Sequence, residues 1–282
     1  MYPYKSKIKL GQVALYVNNL ELQTKYYTEA IGFTVKKSSP EEVLLGFEGS
    51  DQEILRLIKT DKERVKNYGL YHIAILVNDR VQLANSLYHL IKNKAIIEGA
   101  SDHGYSEALY VRDPENNGIE IYCDRDESVW DIREDGKIEG VTEELQADEL
   151  LTHVDTREGF RFNKYTTMGH VHLQSRYALE SSELYRELFP LEDKSSMPTG
   201  SWIASGGYHH HLAFNHWAGH NLAKRQDKEP GLAYFTMIFE DQEVYQESIS
   251  KAKEKLYLVE ETESYYLFED QDGIRTRLEF EK

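Results

Sequence analysis

An α+β fold made of four copies of one βαβββ unit is predicted by three recurrences in the chain. Four strand-like alternating segments recur, each is followed by a segment of helical apolar spacing, and each stretch closes with short strand-like runs. The first unit opens at residues 11–17, continues with a helix at 20–31 that stops at Gly32, and closes with strands at 43–47 and 54–58. The second opens at 71–77. Its helix runs from about Arg80 to Lys92 with Leu83, Leu87, Leu90 and Ile91 facing inward, and its last strand is 118–122. The third opens at 168–173, has a helix ending near Leu188-Phe189-Pro190, and finishes with a strand at 209–214. The fourth opens at 232–238, carries a helix over 243–256, and ends with strands at 266–268 and 275–280.

The 282 residues suffice for one large or two ordinary domains, and 40% hydrophobic with 29% charged residues describes a folded globule. Thirty-three Lys and Arg stand against 49 Asp and Glu, a net charge of −16 that repels phosphate backbones and anionic lipid. Nucleic acid and membrane are therefore poor partners. The single cysteine, Cys123, excludes an internal disulfide and a cysteine-based zinc site, and with no apolar leader or spanning run the chain reads as cytoplasmic. Residues 124–158 hold 13 acidic and 4 basic side chains, more than half of the net charge, and read as a solvated connector without a catalytic role. The domain division expected is two units in 7–125, the acidic linker 126–165, and two units in 166–282.

Three strings carry a family resemblance: residues 100–120, which include His103, Tyr110 and Glu120; Gly169-His170-Val171-His172-Leu173; and residues 207–217 around His210 and Asn215. They resemble the vicinal oxygen chelate superfamily of glyoxalases, bleomycin-resistance proteins and extradiol dioxygenases, most closely its catechol 2,3-dioxygenase-like branch. Ser101 and Asn116 depart from positions usually glycine-like. The resemblance implies two cup-shaped mixed sheets, each built from two units. It also implies Fe(II) or Mn(II) held by two imidazoles and a carboxylate, a small aromatic substrate, and dioxygen. If the chemistry is glyoxalase-like instead, Zn(II) or Ni(II) is implied. A homo-oligomer is left open.

The family places its ligands on the first strands of two paired units and on the last strand of one of them. Units one and two offer Gln12, His72 and Glu120, with no histidine before His72. Units three and four offer His170 and His210, with Tyr234 and Arg277 in the remaining slots. Pairing unit two with unit three fills every slot: His72, Glu120 and His170 as metal ligands, His210 as acid/base, and His103 and Tyr110 as substrate-orienting groups. Units one and four are left with Gln12, Arg56, Tyr234 and Arg277 and read as a support. An unpaired Glu120 between Ile119 and Ile121 would be costly to bury, so a partner is expected. His170 and His172 share one strand face, one as ligand and the other as wall. By alternation only one side of the His209-His210-His211 triple faces the cup, and His210 is favoured over His211. His216 and His220 read as loop residues, and His89 and His153 receive no role. The function expected is an extradiol dioxygenase acting on a catechol or hydroquinone. A metal-dependent glyoxalase-type lyase or isomerase, or a non-catalytic small-molecule-binding protein, are the alternatives.

Overall fold

The computed structural model describes residues 5–155, 159–255 and 257–281. Residues 156–158 of the expected connector and Leu256, the expected end of the fourth helix, lie outside them. The first unit comprises β1 (Ile8–Val17), α1 (Leu20–Lys25) continued by a π-helical turn (Tyr26–Ile31), β2 (Thr34–Ser38), β3 (Glu42–Gly46) and β4 (Leu55–Lys59). The second comprises β5 (Gly69–Leu76), α2 (Arg80–Lys92), β6 (Ile97–Asp102), β7 (Ser106–Arg112) and β8 (Gly118–Asp124). Then come β9 (Asp131–Ile132), β10 (Ile138–Glu139), β11 (Glu143–Glu144) and α3 (Ala147–Leu151). The third unit is β12 (Thr167–Gln174), α4 (Ala178–Leu188), β13 (Glu192–Met197), β14 (Gly200–Ala204) and β15 (Leu212–Asn215). The fourth is β16 (Gly231–Phe239), α5 (Gln242–Glu254), β17 (Leu258–Glu261), β18 (Tyr266–Glu269) and β19 (Arg275–Phe280).

The two large sheets cross the halves of the chain. One runs β11-β6-β7-β8-β5-β12-β15-β14-β13, joining unit two to unit three, and the other runs β17-β18-β19-β16-β1-β4-β3-β2, joining unit four to unit one. The seams are the antiparallel pairs β5–β12 and β1–β16. Alternation divides each sheet into an apolar face under the helices and a polar cup. Ile73, Ile75, Ile119, Ile121, Val171 and Leu173 point to the core, while His72, Glu120, His170 and His172 take the opposite face. Among the described residues no helix is long and apolar enough to cross a membrane.

Three local expectations are corrected. Ile91 is 50% exposed, because Leu83, Leu87 and Leu90 already complete the inward stripe of α2. His209 to His211 lie in a bend before β15 rather than on a strand, so strand alternation does not govern them. The connector is not merely solvated. Trp130, Ile138, Leu145 and Leu150 are buried, and β11 extends the sheet by pairing Glu143 with Asp102 and Glu144 with Ser101.

Candidate metal centre

The register of three adjacent strands assembles the centre. Ala74 on β5 stands opposite both Glu120 on β8 and His170 on β12, and His72 lies two residues earlier on the same face. Three ligand atoms converge there. His72 Nε2 lies 2.9 Å from Glu120 Oε2, His170 Nε2 lies 3.2 Å from the same oxygen, and the two imidazole nitrogens are 3.3 Å apart. Ligand atoms about 2.1 Å from one ion, at neighbouring coordination positions, have separations of roughly 3 Å. His170 Nδ1 is buried without a hydrogen-bond partner, so the polar interactions of that ring all run through Nε2.

The electrostatics favour the ligating forms. Burial pushes the His170 imidazole down to about 4. Burial alone would raise the Glu120 carboxyl, but the adjoining His170 and His72 outweigh it and hold the group well below the usual carboxylate range. Two imidazoles and a carboxylate with the remaining directions open suit a divalent first-row metal such as Fe(II) or Mn(II). The residues present therefore fit the metal that the resemblance implies.

The approach of β12 to β8 depends on Gly169, beside a register shift between Met168 and His170. A Cβ at Gly169 would lie 1.9 Å from the hydroxyl of Tyr122, a fully buried ring whose hydroxyl meets that of Tyr208 at 2.5 Å. Gly169→Ala is expected to destabilise the fold by about 1–3 kcal/mol through overpacking and to weaken metal binding by displacing the adjacent His170. Denaturant unfolding and metal titration check this. Tyr122→Phe in the same chain, which removes the clashing oxygen, should restore part of both.

A cavity of about 340 Å³ opens over the three ligands, within the usual size range of small-molecule sites. Tyr71, His172, Trp202 and Trp217 form an aromatic wall, with Trp217 edge-on to Tyr71 at 5.2 Å between ring centres. His172 is held by Asn215, whose Nδ2 donates to Nε2 at 3.0 Å; its ring meets His72 edge-on at 4.8 Å between centres, but it is not one of the three converging ligands. His210 packs on His170 with ring centres 4.1 Å apart, and burial pushes its imidazole well below the usual range.

His103 and Tyr110 meet at 2.7 Å between Nε2 and the hydroxyl, and His103 Nδ1 lies 2.8 Å from the carbonyl of Val141. A carbonyl only accepts, so Nδ1 carries the proton. A neutral His103 then accepts from the Tyr110 hydroxyl. The phenol is thus fixed between His103 and the neighbouring Glu120 carboxylate at the edge of the cavity. Val141 belongs to the acidic connector, and with Ile138, Gly140 and Thr142 it lines this cavity. That connector does have a part in the site.

Two functional candidates escaped the sequence reading. His209 Nε2 meets Asp124 Oδ1 at 2.8 Å, and its Nδ1 meets His210 Nδ1 at 2.7 Å. With both rings uncharged, His209 donates to Asp124 and accepts from His210, which leaves His210 Nε2 as the bare nitrogen. Asp124 shares a strand face with Glu120, four residues before it, and that parity was a usable signal. The other histidines have lesser places. His216 Nδ1 accepts from the Ala178 amide at the start of α4, His220 is exposed, and His153 pairs with Glu149 at 3.0 Å.

A family model described as Glyoxalase/Bleomycin resistance protein/Dioxygenase superfamily matches residues 9–121. The catechol-2,3-dioxygenase of Bacillus subtilis (strain 168) is 31% identical over 268 residues, which covers 93% of each chain. Glyoxalase I from Zea mays shares the fold with a TM-score of 0.59 at 16% identity, over 97% of this chain and 92% of that one. The CppA protein of Streptococcus pneumoniae TIGR4 does so with a TM-score of 0.55 at 15% identity, over 97% and 100%. With four βαβββ units, two cups and a relative this similar over nearly its whole length, the chain belongs to the glyoxalase/bleomycin resistance protein/dioxygenase superfamily.

Proposed function

We propose that this protein is an Fe(II)- or Mn(II)-dependent dioxygenase of the extradiol type, opening the ring of a catechol or hydroquinone beside a hydroxyl-bearing carbon. The observation that carries the reading is the convergence of His72, Glu120 and His170 beside His210 in one aromatic-walled cavity. The similarity to a catechol-2,3-dioxygenase supports the substrate class. A bound Fe(II) or Mn(II) supplies Lewis acidity and the one-electron chemistry that dioxygen requires.

The chain's own residues do the rest. His72, His170 and Glu120 hold the metal. His210 Nε2, bare because His209 fixes the ring, takes a proton from a substrate hydroxyl and returns it later in the cycle. Tyr110, held by His103, accepts from the other hydroxyl and orients the ring, while Tyr71, Trp202 and Trp217 exclude water around it. Among the described residues lining the cavity Glu120 is the sole carboxylate. A glyoxalase-type isomerase, which needs a second carboxylate as base, is less well supported.

The test is elemental analysis of untagged protein purified without oxygen, followed by oxygen uptake with a panel of catechols and hydroquinones. About one equivalent of iron or manganese, retained in Gln12→Ala and lost in His170→Ala, with catechol-dependent oxygen consumption, is the expected result. Metal retained in His170→Ala but lost in Gln12→Ala would overturn the ligand set. A metal-loaded protein inert to every diphenol would overturn the activity.

A further inference from the structure

We infer that the cup built by units one and four is a second ligand site, selective for a small organic carboxylate. This inference does not rest on the proposed reaction. Register relates the two cups residue by residue. As Ala74 faces Glu120 and His170 in one, Ala14 on β1 faces Arg56 on β4 and Tyr234 on β16 in the other, with Gln12 in the place of His72. A guanidinium therefore stands where the metal cup has its carboxylate, and the charge preference is inverted.

The inverted cup is not filled in. It encloses a cavity of about 640 Å³, larger than the about 340 Å³ over the metal ligands. Its polar floor is ordered: Arg56 Nη1 donates to the Tyr234 hydroxyl at 3.3 Å, and that hydroxyl donates to Gln12 Oε1 at 2.7 Å. Arg277 is held by Glu279 and lies over the Tyr265 ring at 4.0 Å, with its terminal nitrogens making no hydrogen bond to the described residues. Thr166 and Thr236, each 2% exposed, border the cavity together with Thr167, and all three hydroxyls are buried without a hydrogen-bond partner. Unsatisfied buried hydroxyls are costly, and a side-chain rotation would turn these to a polar ligand in the cavity.

Charge and shape narrow the ligand. The acids lining the cavity are each taken: Glu42 by Arg56, Glu53 by Lys37 at 2.6 Å, and Glu279 by Arg277. Lys9 is taken by Glu240 and Glu281, whereas Lys164 has no acidic partner among the described residues. The ion pairs thus balance, and the cationic donors left for an anion are Lys164 and the terminal nitrogens of Arg277. Leu10, Leu44, Ile54, Met168 and Ile238 supply apolar wall. A carboxylate on an apolar body fits donors and wall together, and the guanidinium fork suits a planar carboxylate in particular.

The test titrates benzoate, and separately inorganic phosphate, by calorimetry into metal-free wild type, His170→Ala, Arg277→Gln and Thr236→Val. Benzoate should bind wild type and His170→Ala equally at one site. Binding should weaken at least about tenfold in Arg277→Gln, the size of one lost charge-assisted hydrogen bond, and about threefold in Thr236→Val, which keeps the side-chain shape. A ligand-free melting temperature of Thr236→Val equal to or above that of the wild type separates this from misfolding. Three results would each overturn the site: binding lost in His170→Ala but kept in Arg277→Gln, no saturable binding at millimolar benzoate, or phosphate binding more tightly than benzoate.

Discussion

Glu120→Gln is expected to abolish metal binding while leaving the apoprotein folded. Glutamine keeps the shape of the side chain but removes the anionic oxygen that lies 2.9 Å from His72 Nε2 and 3.2 Å from His170 Nε2. Two neutral imidazoles alone leave the charge of a divalent ion uncompensated in a buried site. Hydrogen-bond partners of metal ligands are already worth 10–100-fold in affinity, so losing a ligand should cost more than about 100-fold. In the apoprotein the same change removes a carboxylate that His170 and His72 stabilise in its ionised form but creates no cavity, so the melting temperature without metal should fall modestly while the chain still folds. Metal should therefore raise the melting temperature of the wild type, by about 2.7 kcal/mol of stabilisation at 100 times its dissociation constant, and leave that of the variant unmoved. Metal affinity and turnover surviving in Glu120→Gln would remove Glu120 from the ligand set, whereas a wild type that binds no metal would favour a ligand-binding cup over a metal enzyme.

The repeat was legible because strand alternation and helix spacing are local, and α2 begins and ends where its pattern does. The cross-half pairing was legible for a chemical reason. His72 and Glu120 lack a partner in unit one, and His170 and His210 lack partners in unit four, so only a sheet joining units two and three completes a site. What escaped depends on contacts distant in sequence. The connector buries Trp130, Ile138, Leu145 and Leu150 singly among acids, a pattern without period, and its Val141 carbonyl reaches back 38 residues to His103. Similarly, His209 is tied to Asp124 across 85 residues, and strand alternation misleads for a triple that lies in a bend. The π-helical turn at Tyr26–Ile31 had no signal either, since an amide reaching five residues back, Gly32 to Tyr27 at 3.1 Å, uses the same residue types as an α-helix.

His210→Gln is expected to lower kcat about 10²–10⁴-fold, the usual worth of a positioned acid/base group, with metal content unchanged. The retained metal is the informative part. His210 lies against His170 with ring centres 4.1 Å apart but is absent from the converging set of His72, Glu120 and His170, so on the proposed reading its loss removes a proton carrier and not a ligand. The chain from Asp124 through His209 supplies an internal comparison. Asp124→Leu removes both oxygens at similar size, so nothing holds the His209 proton on Nε2 any longer. When that proton sits on His209 Nδ1 instead, His210 must accept at Nδ1 and carry its own proton on Nε2. Asp124→Leu should consequently share the kcat defect of His210→Gln in direction, at similar KM and full metal occupancy, although its side chain is not a cavity-lining group. Stopped-flow turnover of metal-loaded protein under saturating substrate reads both. A full kcat in Asp124→Leu beside a crippled His210→Gln would leave His210 as the base but remove the tautomer chain as its cause.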